Sequence, residues 1–163
     1  KAFEAAHAFN PNLSLVMAGN NHGPYADKVA RYVEQSAHKS AIHLRGRVTE
    51  EQKSKLLQES LAIIVTSIKE GWGLIVTEAN SKGTPAVVYD ADGLRDSVKD
   101  KVTGLVVRSG DTRALGRAIV ELLANPDLLV KYSKASLQDS RQYSFDTSYQ
   151  DFKHAVSKII DLA

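Results

Sequence analysis

An α/β fold with parallel strands is the class this sequence predicts, and three observations predict it. Short apolar runs alternate with helix-patterned stretches at intervals of about 20 residues, the spacing of βαβ units. One run, Leu61 to Thr66, is apolar without a break and rich in β-branched residues, as in a central parallel strand covered on both faces. The runs end in turns rich in Gly, Asn and Asp. Together these describe a Rossmann-like three-layer domain with a parallel sheet, one domain over 1–163, in which ligands gather at the carboxyl ends of the strands.

Each element follows from a local pattern. Residues 1–9 read as the end of an amphipathic helix, broken by Asn10-Pro11-Asn12. Leu13 to Ala18 is a strand that stops at Gly19, and Asn20 to Pro24 is a turn. Tyr25 to about His38 carries apolar residues at 25, 29, 32 and 33, near helical spacing. Ile42 to Leu44 is a short strand leading into Arg45-Gly46-Arg47-Val48. Thr49 caps the next helix, Gln52 completes a capping box, and Glu50 and Glu51 lie where the helix dipole favours acids. This reads as an outer helix, and its Lys53 is expected to have no part in ligand binding. After Leu61–Thr66 come the Glu70–Gly73 turn and a helix carrying Glu78. Pro85–Tyr89 is a strand, 90–93 a turn, Leu94–Val98 a short helix, and Thr103-Gly104 a turn before the strand Leu105–Val107. Asp111 is suited to cap a helix whose Ala114, Leu115, Ala118, Ile119, Leu122 and Leu123 share one face, and Asn125-Pro126 ends it. A further helix covers Asp127–Ser140. Asp146 or Thr147 caps a last one, with Phe152, Val156, Ile159 and Ile160 on one side.

Composition narrows the function classes. The chain has 163 residues, 21 basic and 19 acidic, a net charge of +2 that makes no case for a nucleic-acid partner. It has no cysteine, hence no disulfide, no thiolate metal site and no cysteine nucleophile. The histidines show no metal-ligand spacing, and no metal is expected. No apolar run approaches the roughly 20 residues that cross a bilayer. Because the first residues already read as helix, the chain is expected to be part of something longer.

The stretch Ser67 to Gly83 concentrates the chemistry. Gly71 and Gly73 allow close backbone approach and unusual dihedral angles, and the helix behind them points free N–H groups at the same spot, where a phosphate fits. Taken alone, Gly-x-Gly fits a tight strand-to-helix connection without ligand equally well. Glu70 and Glu78 flank this turn. A carboxylate there accepts hydrogen bonds from a vicinal diol such as a ribose, and a nucleotide-sugar carries both phosphate and hydroxyls. Equally, Glu78 fits a solvated helical acid and Trp72 a packing residue. Asp92-Gly93-Leu94-Arg95-Asp96, Arg45, Arg47 and His22 also lie in strand-end turns, with ordinary surface roles as the competing reading. No Gly-x-x-x-x-Gly-Lys-Ser/Thr loop and no Gly-x-Gly-x-x-Gly fingerprint occurs.

Taken in order, Ser67-x-x-Glu70-Gly71-Trp72-Gly73-Leu74, Glu78-Ala79, Gly83-Thr84-Pro85, Asp92-Gly93-Leu94 and Thr103-Gly104-Leu105-Val106 resemble the C-terminal, donor-binding domain of retaining GT-B glycosyltransferases, family 4, glycosyl transferases group 1. The resemblance implies that Glu70, the catalytic residue, binds hydroxyls of the transferred sugar. It implies that Gly71, Trp72, Gly73 and Leu74 set backbone amides against sugar and diphosphate, and that Glu78 holds the ribose. Val48 would meet the nucleobase through its backbone, and Gly19 would line the cleft. It further implies no cofactor and no metal, a UDP-, GDP- or ADP-linked donor, and an acceptor bound by a missing N-terminal domain. The family's Arg/Lys pair for the diphosphate would lie upstream of Lys1, so this piece alone is expected to be inactive. A cytoplasmic protein, peripheral at the membrane through the missing half, is the matching location. A non-catalytic nucleotide- or phosphate-binding module and a GT-B sugar-nucleotide epimerase are the alternatives. The first leaves the second acid unexplained, and the second fits Gly-Trp-Gly and Gly-Leu-Arg-Asp less well.

Overall fold

The structure, a computed structural model, describes residues 1–160. Helices α1 (Ala2–Phe9), α2 (Pro24–Glu34), α3 (Glu50–Glu59), α4 (Leu74–Asn80), α5 (Leu94–Ser97), α6 (Thr112–Ala124), α7 (Pro126–Ser140) and α8 (Phe145–Ile160) alternate with strands β1 (Leu15–Ala18), β2 (Ile42–Gly46), β3 (Ile63–Val65), β4 (Ala86–Tyr89) and β5 (Gly104–Val107). Every pairing among them is parallel. The strands form two ladders, β1 with β2 and β3-β4-β5, rather than one continuous sheet.

The larger ladder shows why the layers form. Alternate residues of β4 point to opposite faces. Val87 joins a core with Ala6 of α1, Leu105 of β5, Leu115, Ala118, Ile119 and Leu122 of α6, and Tyr132 of α7. Ala86 and Val88 join a second core with Val65, Val76 of α4, Ala91, Leu94 of α5 and Val98. Helices therefore cover both faces of a strand whose side chains are apolar on both sides, the three-layer arrangement of a parallel sheet. Truncating a fully buried residue such as Leu122 or Leu94 would cost about 2–5 kcal/mol.

The β1–β2 ladder is held beside this block by other means. Helix α1 packs on α6, the His7 ring meets the Leu13 carbonyl at 2.9 Å, and the Thr84 hydroxyl donates to the Leu57 carbonyl at 2.5 Å. Burial is lighter here: Val16, Met17 and Leu44 keep 37%, 39% and 43% of their surface exposed, unlike the sealed β4.

Local signals set most boundaries. Thr49 accepts from Gln52 N–H while the Gln52 side chain accepts from Thr49 N–H, the reciprocal box expected. Asp111 accepts from Ala114 N–H at 2.8 Å and starts α6, and Asn125 caps α7 through Leu128 N–H, with Pro126 at the first turn. Four expectations are corrected. The run Leu61–Thr66, expected as a central strand covered on both faces, forms β3 at the end of the β3-β4-β5 order with Ile63 and Ile64 only partly buried, and the middle, sealed strand is β4. Helix α2 ends at Glu34 rather than near His38, and its inward stripe is Ala26, Val29 and Val33, leaving Tyr25 and Tyr32 outside. Gly104 is the first residue of β5, not a turn. Ser144, not Asp146 or Thr147, caps α8: its hydroxyl oxygen accepts from Thr147 N–H at 3.0 Å, which puts Thr147 at the third helical position. Phe152, Val156, Ile159 and Ile160 do share a side of α8, but all four are exposed.

The Asp111 cap carries a pH prediction. The Ala114 N–H bond stabilises the charged carboxylate and holds it below the usual aspartate range, with Arg117 and Arg108 adding attraction. A depressed carboxyl contributes its stability fully above the unfolded pKa, about 4, and loses it as pH falls through the folded value. Asp111→Ala should lower the melting temperature at neutral pH, and the gap from wild type should close in acid. Circular dichroism melts across the range check this, and a gap that persists in acid would remove the charge from the account.

Candidate functional site

The carboxyl ends of the strands meet in two sewn pairs of loops. At the end of β3, Glu70 N–H donates to the Asp92 carbonyl at 3.1 Å, tying the 66–73 turn to the turn that follows β4. The fit is close: a Cβ on Gly93, whose φ is +77°, would sit 2.6 Å from the Glu70 carbonyl oxygen. At the other pair, Gly19 N–H donates to the Gly46 carbonyl at 2.8 Å, joining the ends of β1 and β2. A Cβ on Gly46 would lie 2.9 Å from the Asn21 side chain.

Within the first pair, the two glycines of Gly71-Trp72-Gly73 have different duties. Gly73 is buried in the left-handed conformation (φ +76°), with Ser97 Oγ 2.9 Å and Leu94 Cδ2 3.0 Å from where a Cβ would be. It lets the chain turn from β3 into α4 against α5. Gly71 is constrained by neither conformation nor packing: nothing lies within 4 Å of its would-be Cβ. Among the described residues, the N–H groups of Gly71, Trp72, Gly73 and Leu74 donate to no backbone or side-chain acceptor. Trp72 turns away to α4, its indole N–H donating to Thr77 Oγ1 at 3.1 Å and its ring edge-on to Tyr143 at 5.4 Å. Its side chain packs the turn. Leu74 is exposed, and its contribution to a site is its backbone.

The two acids sit in different surroundings. Glu70 is half-buried, and among the described residues its carboxylate takes no hydrogen bond and no ion pair. Glu78 lies on α4 between Val76 and Ala79, both sealed in the core. Its Oε2 is enclosed and takes no hydrogen bond of regular geometry, but the Lys53 ammonium stands 2.7 Å away. That ammonium is also 2.8 Å from Glu50 Oε2, and the two carboxylates, Glu50 first, raise the Lys53 pKa. Lys53 is thus not remote from the candidate site, contrary to expectation: its ammonium reaches Glu78. It precedes Leu56 and Leu57 by one helical turn and shares their inward stripe. That spacing was the signal available for finding it.

Gly19 and Val48 lie in the second loop pair. Nothing comes within 4 Å of a Cβ on Gly19, and Val48 is half-buried just before the Thr49 cap. Among the described residues, no hydrogen bond or ion pair ties either to the Glu70 turn. The charged tie between the two loop pairs is Lys53–Glu78, from the helix after Val48 to the helix after Gly73. Arg95 is engaged by Asp90 at 2.6 Å and Asp92 at 3.4 Å, so it braces its own turn. Arg45, Arg47 and His22 are exposed, and His22 N–H closes an Asn20 side-chain turn at 3.3 Å.

Among the described residues, no group of three or more His, Cys, Asp or Glu is arranged to hold a metal ion, and no helix is long and apolar enough to cross a membrane. Two open depressions, about 690 Å³ beside Glu51, Ser54 and Lys55 and about 540 Å³ around Arg108–Arg113, lie away from the carboxylates described here. The rim at Glu70 offers something more specific than volume. It combines unpaired N–H donors for an anion, one uncommitted carboxylate, and a second carboxylate held on one side, leaving acceptors for hydroxyl groups.

Comparison with known proteins gives one family and one fold. The family described as Glycosyl transferases group 1 matches residues 1–139. The chain is 29% identical over 163 residues to the poly(glycerol-phosphate) alpha-glucosyltransferase of Bacillus subtilis (strain 168), a match covering 99% of this chain and 24% of that protein. It is 28% identical over 107 residues to the D-inositol 3-phosphate glycosyltransferase of Streptomyces scabiei (strain 87.22), covering 66% of this chain and 24% of the relative. The chain therefore spans about a quarter of the length of these relatives. Among solved structures, Anabaena HepE in complex with UDP and glucose superposes with a TM-score of 0.85 at 17% identity, over 96% of this chain and 44% of that one. This likeness shows the Rossmann-like α/β fold expected from the sequence.

Proposed function

The chain belongs to the glycosyl transferases group 1 family, and from that premise we propose that it is the nucleotide-sugar-binding domain of a retaining, family 4 glycosyltransferase, the C-terminal half of a GT-B fold. The observation that carries the reading is Gly71: a glycine demanded by neither its conformation nor its neighbours, facing open space between an unpartnered carboxylate and the start of α4. A residue kept small on its open side is what close approach of a ligand to the backbone requires. The comparisons support a donor role in another way. The two curated relatives differ in the acceptor their names state, poly(glycerol-phosphate) or D-inositol 3-phosphate, yet both share this quarter of their length with the chain. What is common to them is more simply the donor side.

In this reading the diphosphate lies against the N–H groups of residues 71–74, Glu70 accepts hydrogen bonds from hydroxyls of the transferred sugar, and Glu78 accepts from the ribose. Val48 and Gly19 bound the base and the cleft through their backbones. The bond from the sugar's anomeric carbon to the diphosphate breaks and its electron pair stays on the phosphate oxygen, while the acceptor hydroxyl oxygen bonds to the anomeric carbon and its proton passes to the departing diphosphate. The N–H donors and the helix start, with cationic side chains elsewhere in the protein, stabilise the departing charge without a metal. The acceptor is bound by the rest of the protein, which we place in the cytoplasm, peripheral at the membrane. The UDP and glucose bound to the Anabaena protein make UDP-glucose the first donor to test, before GDP- and ADP-sugars.

Gly71→Ala tests the reading. It should leave the melting temperature nearly unchanged, because the added methyl meets only solvent. It should weaken UDP-glucose binding to the full-length protein about tenfold, roughly 1.4 kcal/mol, by calorimetric titration. Unchanged affinity in a protein that binds the donor would show that the ligand does not pass over this turn.

A further inference from the structure

We propose that Lys53 is a positioning residue for the Glu78 carboxylate and, through it, sets how strongly the site prefers a ribose diol over a deoxyribose. The inference rests on the donor-site reading above. The Lys53 ammonium stands 2.7 Å from Glu78 Oε2 and 2.8 Å from Glu50 Oε2. Oε2 of Glu78 is enclosed, while the Glu78 side chain as a whole keeps 41% of its surface exposed, so the exposure lies elsewhere on the side chain. One oxygen is therefore committed to the ammonium and the other is left to solvent and ligand. A glutamate on a short helix has three rotatable bonds. Fixing one oxygen removes most of that freedom before a ligand arrives, and preorganised acceptors bind a diol with less ordering cost.

Lys53 is itself anchored. It is 27% exposed, lies on the Leu56–Leu57 stripe of α3, and belongs to a helix closed by the Thr49–Gln52 box. Glu50, 88% exposed, holds the ammonium from the solvent side, where a pair contributes little by itself. The same contact links α3, which follows Val48, to α4, which follows Gly73.

The test uses the full-length protein, with UDP and 2′,3′-dideoxy-UDP as probes, titrated against wild type, Lys53→Met, Lys53→Arg, Glu78→Ala and the Lys53→Met/Glu78→Ala double variant. Lys53→Met should weaken UDP binding about tenfold and leave dideoxy-UDP nearly unchanged, Lys53→Arg should restore most of the UDP affinity, and the double variant should be no weaker than Glu78→Ala alone. Equal losses for UDP and dideoxy-UDP in Lys53→Met would show a general structural role and overturn the inference. So would full UDP affinity in Lys53→Met alongside a Glu78→Ala loss, which leaves the donor-site reading standing. A wild type that binds both probes equally would show that Glu78 does not hold the ribose and overturn this inference, while leaving the site a diphosphate site; one that binds neither is titrated with GDP and ADP and their dideoxy forms, and binding of none of them would overturn the donor-site reading and this inference with it.

Discussion

Glu70→Ala in the full-length protein is expected to lower kcat/KM for sugar transfer about 100- to 1,000-fold, from the loss of about 3–4 kcal/mol of transition-state stabilisation. A hydrogen bond to a charged acceptor contributes about 1.5–3 kcal/mol, and the carboxylate can serve two hydroxyls of one sugar. The fold supplies the other half of the argument. Because the Glu70 side chain takes no hydrogen bond and no ion pair among the described residues, removing it breaks no polar interaction of the protein, and its backbone bond to Asp92 is untouched. The melting temperature should therefore stay near that of wild type while turnover collapses, a separation unusual for a half-buried acid. Glu70→Gln, which keeps an acceptor but loses the charge, should fall between. Full activity in the alanine variant would sink the assignment of Glu70.

The second large effect is on folding. Gly104 opens β5 directly opposite Ala86 of β4, and a Cβ there would be driven into the Ala86 carbonyl. The neighbouring backbone is also committed: Lys101 N–H donates to the Gly104 carbonyl at 2.8 Å and Ala86 N–H to the Thr103 carbonyl at 3.3 Å. Gly104→Ala is expected to cost about 3–5 kcal/mol by forcing the central ladder apart, a large share of the roughly 5–15 kcal/mol that holds a domain together. Gly110→Ala is the comparison. Its φ is +79° but nothing lies within 4 Å of the added methyl, so it should cost only the backbone term, about 1–2 kcal/mol. Urea unfolding of the two variants measures both, and a Gly104→Ala loss no greater than that of Gly110→Ala would mean that the sheet yields easily. Thr103-Gly104, conspicuous as part of a sequence motif, is on this account a packing feature: Thr103 is fully buried, its hydroxyl oxygen accepting from Lys99 N–H and its carbonyl accepting from Ser136 Oγ.

Much of the fold was legible because it is written in contacts a few residues long. The Thr49–Gln52 box, the Asp111 cap and the Asn125-Pro126 junction are all interactions over three or four positions, and each boundary they imply is observed. The five apolar runs became five strands, but the run of apolar residues marks a strand without telling how far it is buried: β4 is sealed on both faces, whereas β1 and β2 stay largely exposed. The capping of α8 was misplaced for a short-range reason of its own: Ser144, Asp146 and Thr147 are all acceptable caps, and the chain geometry chose among them.

The sequence by itself determined the α/β class, the order of the elements, and the clustering of Glu70, Gly71, Gly73 and Glu78 on one strand-turn-helix, since those residues are neighbours along the chain. Only the tertiary structure decided what each of them meets. It made Gly73 a packing glycine and Gly71 an open one, because Ser97 and Leu94 come from a different turn. Among the described residues it left Glu70 without a polar partner and gave Glu78 a lysine from another helix, so that two acids of the same type acquired different surroundings. The physical reason is range. Backbone propensity, capping and periodicity act within a turn or two of the chain, whereas the charge partner of a carboxylate and the atom that a methyl group would strike are set by the packing of elements tens of residues apart.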